Sequence, residues 1–312
     1  MSTKTFFWNA RGLNEPSKHD PLRQWLLLHK PIFGALLETH IKEPQLNHVM
    51  SKACQGWNYT SNHSADPDGR IILIWKSLAA VKVISSSRQS MTCEIEFPHC
   101  HKIYFTAVYA SNTHDERQDL WVDLINTHQS LDLSNAPWVI GGDFNQITHP
   151  AEHSSMAVNC LTTPMISLRN VLNQLEVFDL RYAGPLHTWT NKSPSNRVAE
   201  KLDGLLANHE WISHYPNSLA SFLPPNFSDH SPCLLDLHVP LPLAGTRPFK
   251  FFNYLTKHHK FNQTVMDAWN QAGGIASNLS TLCYKFRKRK GALKSLNRSN
   301  FSNIQERVRE TN

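Results

Sequence analysis

The chain has 312 residues, of which 40% are hydrophobic and 10% aromatic, a composition that excludes a disordered protein and allows one large core. No apolar run approaches the roughly 18 residues that a membrane span needs, so we expect no membrane association. The N-terminal sequence lacks the pattern of a signal peptide, and the six cysteines form no CxxC pair. We therefore expect an intracellular protein with reduced thiols and no zinc site.

Charge is distributed unevenly along the chain. Residues 239–312 contain 13 Lys and Arg against 3 Asp and Glu, whereas residues 1–238 contain 18 against 22. A Pro- and Gly-containing joint, "PLPLAGTRPFK", follows Val239. We predict a domain at 1–238 and a linker with a basic, partly helical C-terminal extension at 239–312. Because the domain is mildly acidic, local basic groups, a metal or the extension would have to hold any polyanion.

Apolar periodicity predicts the order β-α-β-α, then a run of strands, then α-β-α and further strands. The first helix places Leu22, Trp25, Leu26 and His29 on one face. This mixed order favours an α/β (α+β) fold in which two β-sheets pack face to face with helices outside. The predicted strands lie in segments 4–9, 31–39, 69–75, 79–87, 91–98, 102–111, 137–145, 187–191, 199–208, 217–225 and 231–239. The predicted helices lie in segments 16–30, 43–54, 115–131, 165–177 and 284–300.

Six apolar segments end or begin with a polar side chain, and strand ends on one side of a layered sheet fold converge. Singly, most of these side chains are equally explained as turn residues, helix caps or core walls. Asp203 differs, because a carboxylate between Leu202 and Leu205 is costly to bury unless it is paired. The residues are Asn9, Glu38, Tyr109 with Asn112, Asp143 with Asn145, Asp203, and Asp229 with His230.

The motifs "WNARGL", "LLETH", "VYASN", "GGDFN", "KLD" and "SDHSP" follow one another across residues 4–238. In this order they resemble the motifs of the endonuclease/exonuclease/phosphatase superfamily. More narrowly, "WNARGLN", "ETHIK", "GRIILIW", "GGDFNQI", "HTWTN" and "RPFKFFNYLTKHHKF" resemble the endonuclease region of plant non-LTR (LINE-type) retrotransposon polyproteins. A reverse transcriptase follows that region in the family, and no "YxDD"-like motif occurs here. The resemblance implies a DNase I-like, four-layer α/β sandwich of two mixed sheets.

The resemblance also implies a Mg²⁺-dependent, or Mn²⁺-dependent, phosphodiesterase. Hard oxygen ligands suit Mg²⁺, which binds through one or two carboxylates and keeps several waters. Asp203 would hydrogen-bond His230, raise its pKa and orient it toward the phosphate, while the adjacent Asp229 faces the metal. The implied metal-side residues are Glu38, Asn9 and Asp229. The implied catalytic residues are Asp143 for the attacking water, Asn145 and His230 for the phosphate, Asp203, and Tyr109 and Asn112 for the phosphate or leaving oxygen.

Family members carry a hairpin near residues 184–201 that enters the DNA groove and shapes target preference. Here the resemblance offers Thr188, Trp189, Asn191 and Lys192 as DNA contacts, together with Arg11, although Trp189 is better explained as a core residue.

The sequence also departs from the family pattern at three positions. Lys201 replaces an arginine of many relatives and loses its bidentate fork, and Gly204 stands where LINE-type sequences often have arginine. Arg11 stands where abasic-site enzymes often carry an acidic residue, which argues against a repair role.

The expected function is a DNA endonuclease that nicks one strand, derived from a LINE-type retrotransposon. We expect a nuclear protein with DNA as its partner and no obligate protein partner. Two alternatives stay open: a phosphatase of the same superfamily, and an inactive retroelement remnant that binds nucleic acid through its tail. The basic run at 285–290 fits phosphate binding, a nuclear import signal or a solvated linker.

Overall fold

The computed structural model describes residues 3–239, 249 and 251–301. The chain divides into two compact units, residues 1–241 and residues 242–312. In the described residues, no helix has both the length and the apolar character needed to cross a bilayer.

Two mixed β-sheets form the first unit. One sheet has the strand order β10-β14-β15-β1-β2-β4-β3, the other has the order β5-β6-β7-β8-β13-β9, and β11 and β12 form a separate hairpin. The pairs β1–β2, β7–β8 and β10–β14 are parallel. The strands are β1 (Lys4–Asn9), β2 (Phe33–Leu37), β3 (Asn58–Ser61), β4 (Ile71–Trp75), β5 (Ala80–Ser86), β6 (Ser90–Glu96), β7 (Ile103–Tyr109), β8 (Trp138–Asp143), β9 (Phe178–Asp179), β10 (Tyr182–Ala183), β11 (Trp189–Thr190), β12 (Ala199–Glu200), β13 (Asp203–Ala207), β14 (Leu219–Phe222) and β15 (Cys233–Asp236).

Helices cover the outer face of each sheet. A cluster of buried apolar residues joins α1 and α2 to the first sheet, and a second cluster joins α3 and α4 to the other sheet. The sequence prediction of two mixed sheets with helices outside is therefore confirmed. The helices of this unit are α1 (His19–His29), α2 (Leu46–Ala53), α3 (His114–Ser130), α4 (Thr163–Gln174) and α5 (His209–His214).

The alternation of side chains along β1 shows how the layers are joined. Phe7 faces the core between the sheets, where it packs in one cluster with Phe105 of β7. Phe6 and Trp8 face the other way, and their ring centroids lie 5.0 and 5.4 Å from that of Trp25 in α1. A strand that is apolar on both faces is the pattern expected for a central strand covered on both sides.

Several elements differ from the sequence prediction. The segment 199–208 forms two strands, β12 and β13, because the chain turns aside at Lys201, whose N–H donates to Glu152 O at 3.0 Å. Sequence periodicity missed β3, β9, β10 and α5, which are short, and it also missed the helix at Phe261–Gln271. His29 lies only partly on the apolar face of α1, where its ring packs against Trp25 at 4.6 Å.

The second unit contains α6 (Phe261–Gln271), α7 (Leu279–Phe301) and a 3-10 turn at Asn253–Lys257. Leu255 from the turn and Leu293 and Leu296 from α7 are at least nine-tenths buried. The basic stretch 284–300 is part of α7.

Replacing Leu22 with Ala should destabilise the first unit, because this α1 side chain is fully buried against the sheet. We expect a loss of about 2–5 kcal/mol in the free energy of unfolding. Leu27→Ala in the same helix is the control, since that side chain is 62% exposed, and it should change stability by less than about 0.5 kcal/mol. Urea unfolding followed by tryptophan fluorescence reports on this unit, which holds eight of the nine tryptophans. An equal loss of unfolding free energy in Leu22→Ala and Leu27→Ala would contradict the packing of α1 against the sheet through Leu22.

Candidate active site

The polar residues of six segments meet at one end of the sandwich because of strand direction. Asn9 ends β1 and pairs in register with Leu37 of the parallel β2, so Glu38 follows at the same edge. Asp143 ends β8, and it is in register with Tyr109 of the parallel β7 and with Asp203 at the start of the antiparallel β13. The segment before β15, which runs antiparallel to β1, returns Asp229 and His230 to this edge.

Asn9 links the carboxylates of the site. Its amide Nδ2 donates to Glu38 Oε2 at 2.9 Å and to Asp143 Oδ2 at 2.8 Å, and it lies 3.4 Å from His230 Nε2. Its Oδ1 accepts from the N–H of Arg11 at 2.9 Å, which fixes the amide orientation. Asn9 is therefore a fully buried donor between two carboxylates, and its amide oxygen is already engaged.

His230 is held between two buried carboxylates. Its Nδ1 is 2.9 Å from Asp203 Oδ2, and its Nε2 is 3.7 Å from Asp143 Oδ2. Burial lowers the pKa of His230, but Asp203 and then Asp143 outweigh this effect and raise it to about 9. Burial raises the pKa of the Asp143 carboxyl, and the neighbouring Asp203 adds to this effect while His230 opposes it. Both carboxylates therefore favour the protonated form of His230, in which Nδ1–H donates to Asp203.

The loop that carries His230 is fixed by hydrogen bonds from Ser228, a residue that the motif analysis did not single out. Ser228 Oγ donates to Asn9 O at 2.7 Å and accepts from the N–H of His230 at 3.1 Å. Trp8 Nε1 donates to His230 O at 3.1 Å. The position of Ser228 directly before the Asp-His pair was the sequence signal that could have identified it.

Asp229 faces the opposite side of this loop from His230. Its Oδ2 accepts from Trp189 Nε1 at 2.9 Å and forms an ion pair with Arg11, whose side chain is 55% exposed. The adjacent carboxylate and imidazole thus serve different neighbours. Both contacts are made by Oδ2, so a metal ligand role for this oxygen requires that Arg11 release it.

Glu38 is the carboxylate nearest to solvent in the cluster, with 18% of its side chain exposed. It adopts a left-handed backbone conformation, with φ of 49°. Its Oε1 lies 3.4 Å from His40 Nε2, while Oε2 accepts from Asn9. A partly exposed carboxylate in an electronegative pocket fits a hard cation such as Mg²⁺.

A second group of possible metal ligands lies deeper. Ligand atoms of Asp143, Asp203 and His230 are within 4.8 Å of one another. However, the Nδ1 of His230 is engaged with Asp203. The closeness of these two residues is therefore also explained by a hydrogen bond that orients a protonated imidazole, without a metal ion. The other oxygen of Asp203, Oδ1, is buried without a hydrogen-bond partner in the structure.

The remaining predicted catalytic residues differ in their placement. The Tyr109 ring is buried, and its pKa is raised by burial and by the facing carboxylates of Glu38 and Asp143. Asn145 has a positive φ of 47°, and its Nδ2 donates to Ala110 O at 2.7 Å. Asn112 is exposed, and its main-chain O accepts from Arg117 Nη1 at 2.9 Å.

Four of the five predicted DNA contacts lie on or beside the hairpin β11–β12, and the fifth, Arg11, follows β1. Thr188 and Trp189 border the loop that carries His230, since Thr188 O accepts from the N–H of Ser231 and Trp189 forms an isolated β-bridge with His230. Thr188 Oγ1 accepts from the N–H of Asp203. Lys192 Nζ donates to Ser228 O at 2.9 Å. Asn191 stabilises the hairpin turn, because its Oδ1 accepts from the N–H groups of Ser193 and Val198.

Lys201 and Gly204 are the two positions near Asp203 that depart from the family pattern. Lys201 Nζ contacts Asp179 Oδ2 at 2.6 Å and Glu152 Oε1 at 3.2 Å, so it forms an ion-pair network with these two carboxylates. Gly204 lies against the Phe144 ring, and a methyl group on its Cα would come within 3.3 Å of that ring.

A pair of packed mixed sheets with an Asp-His pair and several carboxylates at one end defines a DNase I-like phosphoesterase fold. The model of the Endonuclease/Exonuclease/phosphatase family matches residues 6–230. The chain belongs to this family.

Solved structures share this fold at low sequence identity. The AP endonuclease LMAP from Leishmania major has a TM-score of 0.63 at 17% identity, and the match covers 77% of this chain and 88% of that one. The endonuclease domain of TRAS1, a telomere-specific non-LTR retrotransposon, has a TM-score of 0.58 at 11% identity, and the match covers 76% of this chain and 99% of that one. An AP endonuclease from Archaeoglobus fulgidus has a TM-score of 0.57 at 14% identity, and the match covers 75% of this chain and 98% of that one. No curated protein sequence matches the chain.

Replacing Asp203 with Asn should lower the pKa of His230, because the carboxylate that stabilises the imidazolium is removed. The folded-state pKa of about 9 lies above the ordinary value of 6.5, so this pairing stabilises the fold fully below pH 6.5. The contribution is lost as the pH rises through about 9.

NMR titration of the His230 ring nitrogens measures the pKa, and urea unfolding across this pH range measures the stability difference between the two proteins. Asp236→Asn, outside the cluster, is the control. A stability difference that grows with pH, or an unchanged His230 pKa, would contradict the pairing.

Proposed function

We propose that the protein is a Mg²⁺-dependent endonuclease, also served by Mn²⁺, that nicks one strand of DNA. The observation that carries the proposal is the Asp203–His230 pair, which places His230 Nε2 beside Asn9 and Asp143, with Glu38 on the other side of the Asn9 amide. Phosphodiester hydrolysis needs an activated water, a positive donor to the phosphate and a group that neutralises charge. Asp143 would activate the water, His230 would be the positive donor to the phosphate, and a metal ion held by Glu38 would neutralise charge.

The residues divide the reaction between them. Asp143 Oδ2 is the acceptor that orients the attacking water, and Asn9 and the N–H of Asn145 hold this carboxylate in place. His230 donates to a non-bridging oxygen, where charge develops in the transition state, because Asp203 keeps it charged and oriented. Glu38 would hold the metal ion, which when bound neutralises the phosphate and lowers the pKa of a coordinated water. Tyr109 is assigned to the phosphate or the leaving oxygen.

DNA is the proposed partner, and a LINE-type retrotransposon is the proposed origin. The successive motifs and the segment after residue 238 support that origin, and so does the fold shared with a retrotransposon endonuclease domain. Arg11 and Lys192 border the site and are candidates for phosphate contacts. An abasic-site repair role is disfavoured, because Arg11 occupies a position where repair enzymes often carry an acidic residue. Here Arg11 instead forms an ion pair with Asp229. Nuclear localisation follows from a genomic DNA substrate and is part of this proposal.

His230→Ala should reduce the nicking of supercoiled plasmid in Mg²⁺ by roughly 10³-fold, because the donor to the developing charge is removed. His238→Ala, an exposed histidine eight residues away, is the control and should nick at the wild-type rate. The conversion of supercoiled to open circles, with an EDTA arm, measures the rate. Full activity of His230→Ala would overturn the site assignment. No nicking by folded wild-type protein would favour an inactive remnant, and phosphomonoester substrates would then test the phosphatase alternative.

Glu38→Gln should abolish the stabilisation that Mg²⁺ gives the folded protein, because the ligand charge is lost. Wild-type protein should gain about 2.7 kcal/mol when the ion is at 100 times its Kd. Glu43→Gln, an exposed glutamate five residues on, should respond as wild type. Thermal unfolding in a Mg²⁺ series and in a Mn²⁺ series measures the effect without any activity assay. Equal stabilisation of Glu38→Gln would place the ion elsewhere.

A further inference from the structure

The basic run at 285–290 contains one lysine with a purely structural role. Lys285 is 3% exposed, and its Nζ donates to Trp269 O at 2.9 Å and to Gly273 O at 2.6 Å. These carbonyls lie at the C-terminal end of α6, where a cation satisfies free acceptors and the helix dipole. The neighbouring cations, Arg287 and Lys288, are exposed, and Lys288 Nζ lies 5.5 Å from the Tyr284 ring centroid.

A groove of about 460 Å³ lies within the second unit, along α7. Phe286 and Phe251 in this groove are 52% and 41% exposed. Exposed aromatic rings that cluster in one groove are typical of an interaction site. The groove is lined by the aromatic residues Phe249, Phe251, Phe261 and Phe286 and by the cations Arg287 and Lys290, among others.

Aromatic and cationic side chains are interleaved along the groove. Phe286 and Lys290 are four residues apart and share one face of α7. Lys290 Nζ lies 5.9 Å from the Phe249 ring centroid, and Arg289 lies 5.9 Å from that of Phe286. A flat apolar group stacked on either ring would therefore have a positive charge beside it.

The charge of the unit selects a polyanion. In residues 249 and 251–301, nine lysines and arginines accompany one carboxylate, Asp267. Asp267 accepts from Gln263 Nε2 at 2.7 Å. One carboxylate cannot neutralise nine cations, so the described part of this unit keeps a large positive charge that attracts phosphates.

We propose that this groove binds single-stranded DNA, with bases stacked on Phe286 and Phe251 and phosphates held by Arg287 and Lys290. Exposed rings beside cations are the arrangement that single strands use, because only unpaired bases offer both faces for stacking. The choice of DNA rests on the proposed function, since nicking releases strand ends of that polymer. The basic run thereby becomes a second nucleic-acid site, separate from the catalytic cluster.

Phe286→Ala should weaken binding of a fluorescein-labelled oligothymidylate of about 12 nucleotides by roughly 10-fold. Fluorescence anisotropy of the full-length chain in EDTA measures the affinity without cleavage. Tyr284→Ala is the matched control, because that ring is 49% exposed on the same helix but does not line the groove. It should bind as wild type.

Lys290→Gln should lower the slope of log affinity against log salt by roughly 0.7, the value for one released phosphate contact on a single strand. Lys257→Gln, an exposed lysine outside the groove, should leave the slope unchanged. The two variants each remove one positive charge, so a difference between them reports position and not net charge.

Equal binding by Phe286→Ala and wild type would overturn the proposal. Equal or tighter binding of a duplex of the same length would show charge attraction without stacking, and equal or tighter binding of the matching RNA would exclude DNA as the preferred strand. Plasmid nicking by Phe286→Ala separates the two proposals. If Phe286→Ala loses oligonucleotide binding but still nicks plasmid, the groove proposal is supported. If wild-type protein binds the oligonucleotide but does not nick plasmid, only the proposed nuclease function is refuted.

Discussion

The burial of charge at one edge of the two sheets, where β1 and β8 end and β13 begins, is the constraint on which the site depends. Asp143, Asp203 and His230 are all at least nine-tenths buried, and an isolated charge at such depth would be strongly destabilising. They persist because the imidazolium is shared between the carboxylates and because Asn9 donates to Asp143 and Glu38. The strand registers place these groups within hydrogen-bonding distance, so the fold and the site stabilise each other.

The same constraint explains why residues without chemistry of their own matter. Ser228 connects the main chains of Asn9 and His230, and the Trp8 indole holds the His230 carbonyl from the outer layer. A shift of β1 would therefore move the amide, the imidazole and the indole together. Positioning through shared main-chain contacts keeps the imidazolium aligned without requiring any flexible side chain to fold over the site.

Sequence reasoning predicted what depends on order and periodicity. Long apolar segments identified the layers, and polar residues at strand ends identified the cluster, since parallel neighbours finish at one edge. It could not predict the orientation of the Asn9 amide, because the N–H of Arg11 that fixes it is a main-chain group. Nor could it predict the Arg11–Asp229 ion pair or the exposed position of Asn112, which depend on loop conformation. Sequence reasoning also could not distinguish Lys285, which caps α6, from the other cations of its basic run, because the cap depends on how the chain folds after α6.

The opposite charges of the two units suggest how a mildly acidic body could act on a polyanion. In the first 238 residues acids outnumber bases by 22 to 18, so the body as a whole repels DNA weakly. On the proposed function, attraction at the catalytic cluster would be local, from Arg11, Lys192 and a metal ion held by Glu38. The extension holds 13 bases and 3 acids, and its attraction does not depend on the geometry of the catalytic cluster. On that proposal, affinity for DNA would come mainly from the extension, and the Asp203–His230 pair in the body would act in the cleavage of the bound phosphate.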